Sequence, residues 1–169
     1  MKPLKKIRVW LASSFILLRS GLRAVLMDCP TLECIGEGGL DGDALASIAA
    51  AQPDVLIVDL DLHDHWVRTV LKRLVDKTPD TRIIALSATG DKRFVLRLLR
   101  YGVLGYISHA EAPTELIRAI EAVARGDVFL CPSASVALLS EYRKRASQHT
   151  QNGQGSGRQS KSQGVHPKK

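Results

Sequence analysis

The feature that most constrains this chain is a set of short runs that are apolar on both faces. Val55-Leu56-Ile57-Val58 and Ile83-Ile84-Ala85-Leu86 contain no polar residue to mark a solvent side. Antiparallel strands usually alternate because one face meets water, so a strand without a polar face belongs in a parallel sheet covered by helices on both sides. The segments between the runs have the period such helices need. Leu18, Gly21, Leu22 and Val25 recur at i, i+3, i+4 and i+7, as do Val67, Val70, Leu71 and Leu74, and each set lines one helix face. Ala44, Leu45, Ile48 and Ala49 mark a shorter helix that has to end before Gln52-Pro53, because the residue before proline is disfavoured in helical backbone. Val95, Leu98 and Leu99 precede Gly102, and Leu116, Ile120 and Val123 precede Gly126; each glycine suits a left-handed helix stop. With strands expected at residues 7–11, 32–36, 55–59, 82–86 and 105–107, the pattern predicts an α/β chain. Its fold is a doubly wound (βα)5 three-layer sandwich with a central five-stranded parallel sheet.

A length of 169 residues leaves room for one ordinary domain, and 45% hydrophobic with 24% charged residues excludes wholesale disorder. No apolar run approaches the roughly 18 residues of a membrane span, and the N-terminus leads into a strand pattern instead of a signal peptide. A cytoplasmic location is therefore expected. Cys29, Cys34 and Cys131 lack metal-ligand spacing and fit reduced thiols. The net charge of +7 sits at one end: all acids lie at or before Glu141, and seven cations from Arg143 onward carry the excess. The expected organisation is a folded domain over residues 1–131, a C-terminal helix or linker over 132–146, and a disordered basic tail over 147–169. In the helix, residues 134–145 carry a stripe of Val136, Leu138, Leu139 and Tyr142. The tail has one aliphatic residue, Val165, too few to offset ordering entropy. Its cations suit either solubilisation or non-specific attachment to nucleic acid or an anionic surface by counterion release. Aromatic residues for base stacking are missing beyond Tyr142.

In doubly wound sheets ligands gather beyond the carboxyl ends of the strands, where strand order reverses. That rule selects Ala12-Ser13-Ser14, Asp59, Ser87-Ala88 and Ser108-His109. Asp59 stands out because a carboxylate ending the most apolar run is costly to desolvate. It can hold a metal, accept a phosphoryl group, cap the next helix, or merely leave the sheet for a loop. Asp59, Asp61, His63 and His65 alternate, and in extended backbone all four would point one way, a donor set for Zn²⁺ or another transition metal; the plainer reading is a solvated loop.

The order and spacing of several stretches carry a family resemblance. They are Ile-Arg-Val-Trp-Leu-Ala at 7–12, Arg-Ser-Gly-Leu-Arg-Ala at 19–24, Gln-Pro-Asp-Val-Leu-Ile-Val-Asp-Leu at 52–60 and Arg-Ile-Ile-Ala-Leu-Ser-Ala at 82–88. Tyr-Gly-Val-Leu-Gly-Tyr-Ile at 101–107, Pro-Thr-Glu-Leu-Ile-Arg-Ala-Ile at 113–120 and Gly-Asp-Val-Phe-Leu-Cys-Pro at 126–132 follow. Over residues 5–142 the chain resembles the receiver domains of bacterial two-component response regulators, which have a flavodoxin-like, CheY-like fold, and in particular the NarL-type subfamily. The resemblance implies that Asp59 is the phospho-acceptor for a histidine kinase, Ser87 the switch hydroxyl and Tyr106 the switch aromatic.

The departures from that family matter as much. Its two adjacent acids after the first strand are Ser13 and Ser14 here, its lysine after the fifth strand is His109, and a proline and a glycine after the third strand are His63 and Val67. The family acids hold Mg²⁺, a hard cation that wants several oxygens, so any Mg²⁺ at Ser13, Ser14 and Asp59 is expected to be weak. A histidine supplies the lysine's fixed charge only when protonated. The expected function is a pseudo-receiver in two-component phosphorelay signalling, acting by protein contacts and not as an enzyme beyond self-phosphorylation on Asp59. The alternatives are a conventional phospho-acceptor and a tail-driven nucleic-acid or anionic-surface binder. The NarL-type helix-turn-helix output is not expected, since no second apolar periodicity follows the 134–145 helix. Expected partners are a histidine kinase or other signalling protein. A homodimer is also expected, through the face of the fourth helix, fifth strand and fifth helix, including Phe94, Arg97, Tyr101, Tyr106 and Arg118.

Overall fold

Six strands form one sheet in the order β2-β1-β3-β4-β5-β6 in a computed structural model that describes residues 5–60, 64–88 and 90–153, with side chains described except at 64–66 and 145–153. The elements are β1 (Ile7–Ala12), α1 (Ile16–Met27), β2 (Leu32–Gly38), α2 (Gly42–Ala51), β3 (Val55–Asp59) and α3 (Asp64–Lys77). They continue with β4 (Arg82–Ser87), α4 (Lys92–Arg100), β5 (Val103–Ser108), α5 (Ala112–Ala124), β6 (Phe129–Leu130) and α6 (Pro132–Gly153). Every pairing is parallel. The chain divides into two compact units, residues 1–137 and 138–169. The first contains the whole sheet; the second contains the later part of α6.

The doubly wound architecture is the one the apolar runs predict. Every residue of β3 is buried, and α1 packs beside α5 while α2 packs beside α3. The sheet has six strands and not five. The extra strand, β6, pairs Phe129 with Gly105 and Leu130 with Tyr106. Two residues are too few to show any period, so this strand is defined by the edge it meets and not by its own composition.

Local chemistry explains where the elements stop. Helix α2 begins at Asp41, whose carboxylate accepts from Ala44 N–H at 2.8 Å. It ends before Pro53 with Gln52 in the left-handed region at φ 44. There the Arg8 guanidinium donates to the carbonyls of Ala51 at 2.8 Å and Gln52 at 2.9 Å, meeting acceptors that a helix end leaves without partners. Gly102 and Gly126, both at positive φ, follow α4 and α5 as expected. The buried stripe of α1 differs from the periodicity. It centres on Leu22 and Leu26, with Gly21 exposed and nothing within 4 Å of where its Cβ would lie.

Helix α6 runs to Gly153, past residue 145 and through residues 147–153, which had been assigned to a disordered tail. Extending an existing helix adds one hydrogen bond per residue fixed, without a new nucleus, and the Asn152-Gly153 pair suits a helix end. The rest of the expected tail, residues 154–169, lies outside the described residues. Among the described residues no helix is long and apolar enough to cross a membrane.

Candidate functional site

The sheet order reverses between β1 and β3, and the carboxyl ends of those strands carry Ser13 and Asp59. Ser13 is 1% exposed and Asp59 4%. A carboxylate this deep needs partners for both oxygens, and it has them. Ser13 Oγ donates to Asp59 Oδ2 at 2.6 Å, and His109 Nε2 lies 2.9 Å from Oδ1. A carboxylate only accepts, so Nε2 is the hydrogen-bearing ring nitrogen in this pair.

Each of the two partners is itself held. The Ser13 hydroxyl accepts from Phe15 N–H at 3.1 Å while donating to Asp59, and its backbone N–H donates to Gly38 O at 2.9 Å. The Arg19 guanidinium donates to the Ser13 carbonyl. His109 is tied to the end of β4 by its N–H donating to Ser87 O at 3.1 Å. Asp59 pairs in register with Leu86, which places Ser87 one step further along the neighbouring strand, with 1% exposure.

The structure therefore brings Ser13, Asp59 and His109 together and sets Ser87 at the adjacent strand end. Ser14 is exposed and does not join them. Tyr106, named on the face of α4, β5 and α5, is wholly buried on β5. Phe94 is buried too, at 7% exposure, and together with Arg97 and Tyr101 it borders a cleft against α3. Arg118 is exposed and pairs with Glu115 at 3.1 Å.

Receiver domains commonly bind Mg²⁺ at an acidic phosphorylation site, but these residues do not fit that ion. Mg²⁺ demands near-octahedral oxygen coordination, usually with more than one charged donor among its ligands or substrate. The site offers, among the described residues, one buried carboxylate, which accepts a hydrogen bond on each oxygen, one of them from an imidazole N–H. Among the described residues no group of three or more His, Cys, Asp or Glu side chains could hold a metal ion. Asp61 and His63, and the side chain of His65, lie outside the described residues, so the alternating Asp/His set does too.

Four charged residues near this end of the sheet, Arg19, Arg23, Glu37 and Glu111, had no role assigned from the sequence. Arg19 lies 4.0 Å and Arg23 3.8 Å from Glu37 on β2. Glu111, two residues after His109, fastens the start of α6. Its carboxylate accepts from Ser133 N–H at 3.0 Å, Ser133 Oγ at 2.6 Å and Ser108 Oγ at 2.5 Å. The Cys131 thiol, followed by these hydroxyls, holds the Glu111 carboxyl down at about 2. The only signal in the sequence was Ser133 directly after Cys131-Pro132, a helix-start pattern that names no distant acceptor. Beside the site, Phe15, Ile16 and Leu17 are 59%, 71% and 86% exposed. Phe15 and Leu17, with Leu22, His109 and Pro113, line an apolar hollow of about 560 Å³.

The chain as a whole has relatives and structural neighbours. The chain is 30% identical over 147 residues to the uncharacterized transcriptional regulatory protein YxjL of Bacillus subtilis, covering 86% of this chain and 67% of that one. It is 25% identical to the transcriptional regulatory protein DegU of Brevibacillus brevis, over 86% of this chain and 62% of the relative. The chain thus spans 62% to 67% of the length of these two relatives. Among solved structures, the isolated receiver domain of RcsB from Salmonella enterica serovar Typhimurium with phosphomimetic BeF3⁻ superposes with a TM-score of 0.68 at 25% identity. That match covers 79% of this chain and 99% of the other. The family model for the response regulator receiver domain matches residues 17–121. With the parallel sheet and a buried aspartate at the end of β3, that match makes the chain a member of the response regulator receiver domain family, whose domains act in two-component signalling.

Proposed function

We propose that the protein is a pseudo-receiver: a receiver fold that signals by binding other proteins, with phosphorylation of Asp59 weak or absent. One observation carries this reading. Both Asp59 oxygens are engaged, by Ser13 Oγ at 2.6 Å and His109 Nε2 at 2.9 Å. Phosphoryl transfer asks little covalent work of a protein and much compensation of charge on the transferring oxygens. Ser13 and His109 stand where the family has an acid and a lysine. Charge-assisted contacts are worth about 1.5–3 kcal/mol each, so losing a few slows transfer by several powers of ten. The exposed Phe15, Ile16 and Leu17 beside the site supply apolar area for a partner. A histidine kinase or another signalling protein fits that role. The working organisation is a receiver domain over residues 1–131, followed by the helix α6, which runs to Gly153, and a basic terminal segment.

The test is incubation with acetyl phosphate and millimolar Mg²⁺, read by intact mass and by tryptophan emission, since Trp10 lies on β1 just before Ser13. The expected result is no mass gain and a flat titration, with beryllofluoride equally silent. A stable phosphoryl adduct on Asp59 would overturn the proposal and restore a conventional phospho-acceptor, with Ser87 as its switch hydroxyl and Tyr106 as its switch aromatic.

A further inference from the structure

Away from Asp59, the cleft between α3 and α4 gathers positive charge that the receiver reading does not use. It encloses about 650 Å³, within the range of small-molecule sites. Arg68, Lys72 and Arg73 of α3 line it and are exposed, as does Arg97 of α4. Among the described residues, no carboxylate lies within 4.0 Å of the charged groups of Arg68, Lys72 or Arg73. Asp76 is the one acid on the wall. Among the described residues, the two guanidinium groups and the ammonium of Arg68, Arg73 and Lys72 against the Asp76 carboxylate make an electropositive hollow.

The floor has a different character. Val67, Leu98 and Phe94 are 2%, 1% and 7% exposed and close the bottom of the cleft. The Tyr101 ring stands at its edge with 36% exposure, and Arg97 already lies over Phe94 at 5.9 Å from the ring centroid. A bare phosphate would use the rim and leave the apolar floor empty. An extended polyanion could follow the charge on to Arg100 in the adjoining hollow that Arg68 and Lys72 also line, but it too would leave that floor empty. A ligand with several negative charges at one end and a flat, weakly polar ring at the other meets both halves.

We propose that the α3–α4 cleft binds a nucleoside polyphosphate, with its phosphates on Arg68, Lys72 and Arg73 and its base against Tyr101 and the apolar floor. Arginine forks and the lysine ammonium both suit phosphate oxygens, and base–aromatic stacking tolerates any base. This inference does not depend on whether Asp59 is phosphorylated.

Isothermal titration of the full chain with ATP, GTP and inorganic tripolyphosphate at low salt tests it. At least one nucleotide should bind one-to-one with a dissociation constant below about 1 mM and about tenfold more tightly than tripolyphosphate. Lys72→Ala with Arg73→Ala, at exposed positions, should weaken nucleotide binding about tenfold or more. Tyr101→Ala should erase the advantage over tripolyphosphate. Asp76→Asn should tighten binding, a gain that misfolding cannot mimic. No saturation by either nucleotide at about 5 mM, undiminished binding by the Lys72/Arg73 double variant, or equal affinity for tripolyphosphate would each overturn the proposal. So would binding of random duplex DNA that neither nucleotide displaces.

Discussion

Asp59 and Ser13 should be energetically coupled to a degree that a double-mutant cycle reads directly. Ser13→Ala removes a hydroxyl that donates to a carboxylate of 4% exposure at 2.6 Å and accepts from Phe15 N–H at 3.1 Å. The first bond is charge-assisted and buried, worth about 1.5–3 kcal/mol; the second is an ordinary one of about 0.5–1.5 kcal/mol. The single variant should therefore lose about 2–4.5 kcal/mol. When Asp59 is already alanine, only the Phe15 bond remains to be lost, so Ser13→Ala should then cost about 0.5–1.5 kcal/mol. The difference, a coupling of about 1.5–3 kcal/mol, is what the cycle isolates. Urea unfolding of the four proteins, followed by far-ultraviolet circular dichroism, measures it with an m-value shared across the series. Additive losses, with a coupling below about 0.5 kcal/mol, would refute the view that Ser13 anchors this carboxylate.

Further expectations rest on separate contacts. In Gly36→Ala, the new methyl carbon would lie 2.2–2.6 Å from the Trp10 ring, so the indole must move; a loss of about 1–3 kcal/mol and a shifted tryptophan emission are expected, and unchanged spectra would contradict the packing. For Arg8→Ala, the carbonyls of Ala51 and Gln52 lose their guanidinium donors; about 1–2 kcal/mol should disappear from the unfolding midpoint, and a neutral result would show that water replaces the arginine. The Glu111 carboxyl, lowered from 4.5 to about 2, is a depressed acid. Its contribution is therefore complete above pH 4.5 and fades as pH falls through about 2. The Ser133 amide shift should titrate with that lower midpoint and become flat in Glu111→Gln, whereas a midpoint near 4.5 would mean the clamp does not form in solution.

What could be read from the residues, and what could not, follows from the range of the forces involved. The sheet was legible because a strand apolar on both faces has one kind of environment open to it, and Val55 to Val58 state that requirement within four residues. Asp59 was legible for the same reason reversed: a charge at the end of such a strand needs an account. The partners of that charge lie 46 and 50 residues away in the chain. The strand-end rule chose Ser13 and His109 as members of the site, but only the folded register shows that both reach the same carboxylate while Ser14 turns outward. The clamp of Glu111 on Ser133 spans 22 residues and had no periodic signature at all. Strand β6 and the late turns of α6 were missed because neighbours and helix propagation define them, not local pattern. That Tyr106 and Phe94 of the expected dimer face are buried was not legible, because placing a residue on an element does not fix the side of the element it occupies.

On the proposed pseudo-receiver reading, the same geometry would let a site keep its aspartate without its reactivity. A phospho-acceptor carboxylate is useful when its charge is neutralised from outside, by a cation that also neutralises the incoming phosphoryl oxygens. Hydrogen bonds from Ser13 and His109 satisfy the same carboxylate without leaving a cation that two anions can share. They also tie it to structure: Ser13 to the entry of α1 through Phe15 N–H, and His109 to β4 through Ser87 O. An attacking oxygen at Asp59 would keep one of those bonds and use its remaining lone pair, with its charge already drawn toward the donor. In that proposal the aspartate at residue 59 would serve as a fastener between β1, β3 and the loop after β5, and the surface beside Phe15, Ile16 and Leu17 would be left to carry the signal.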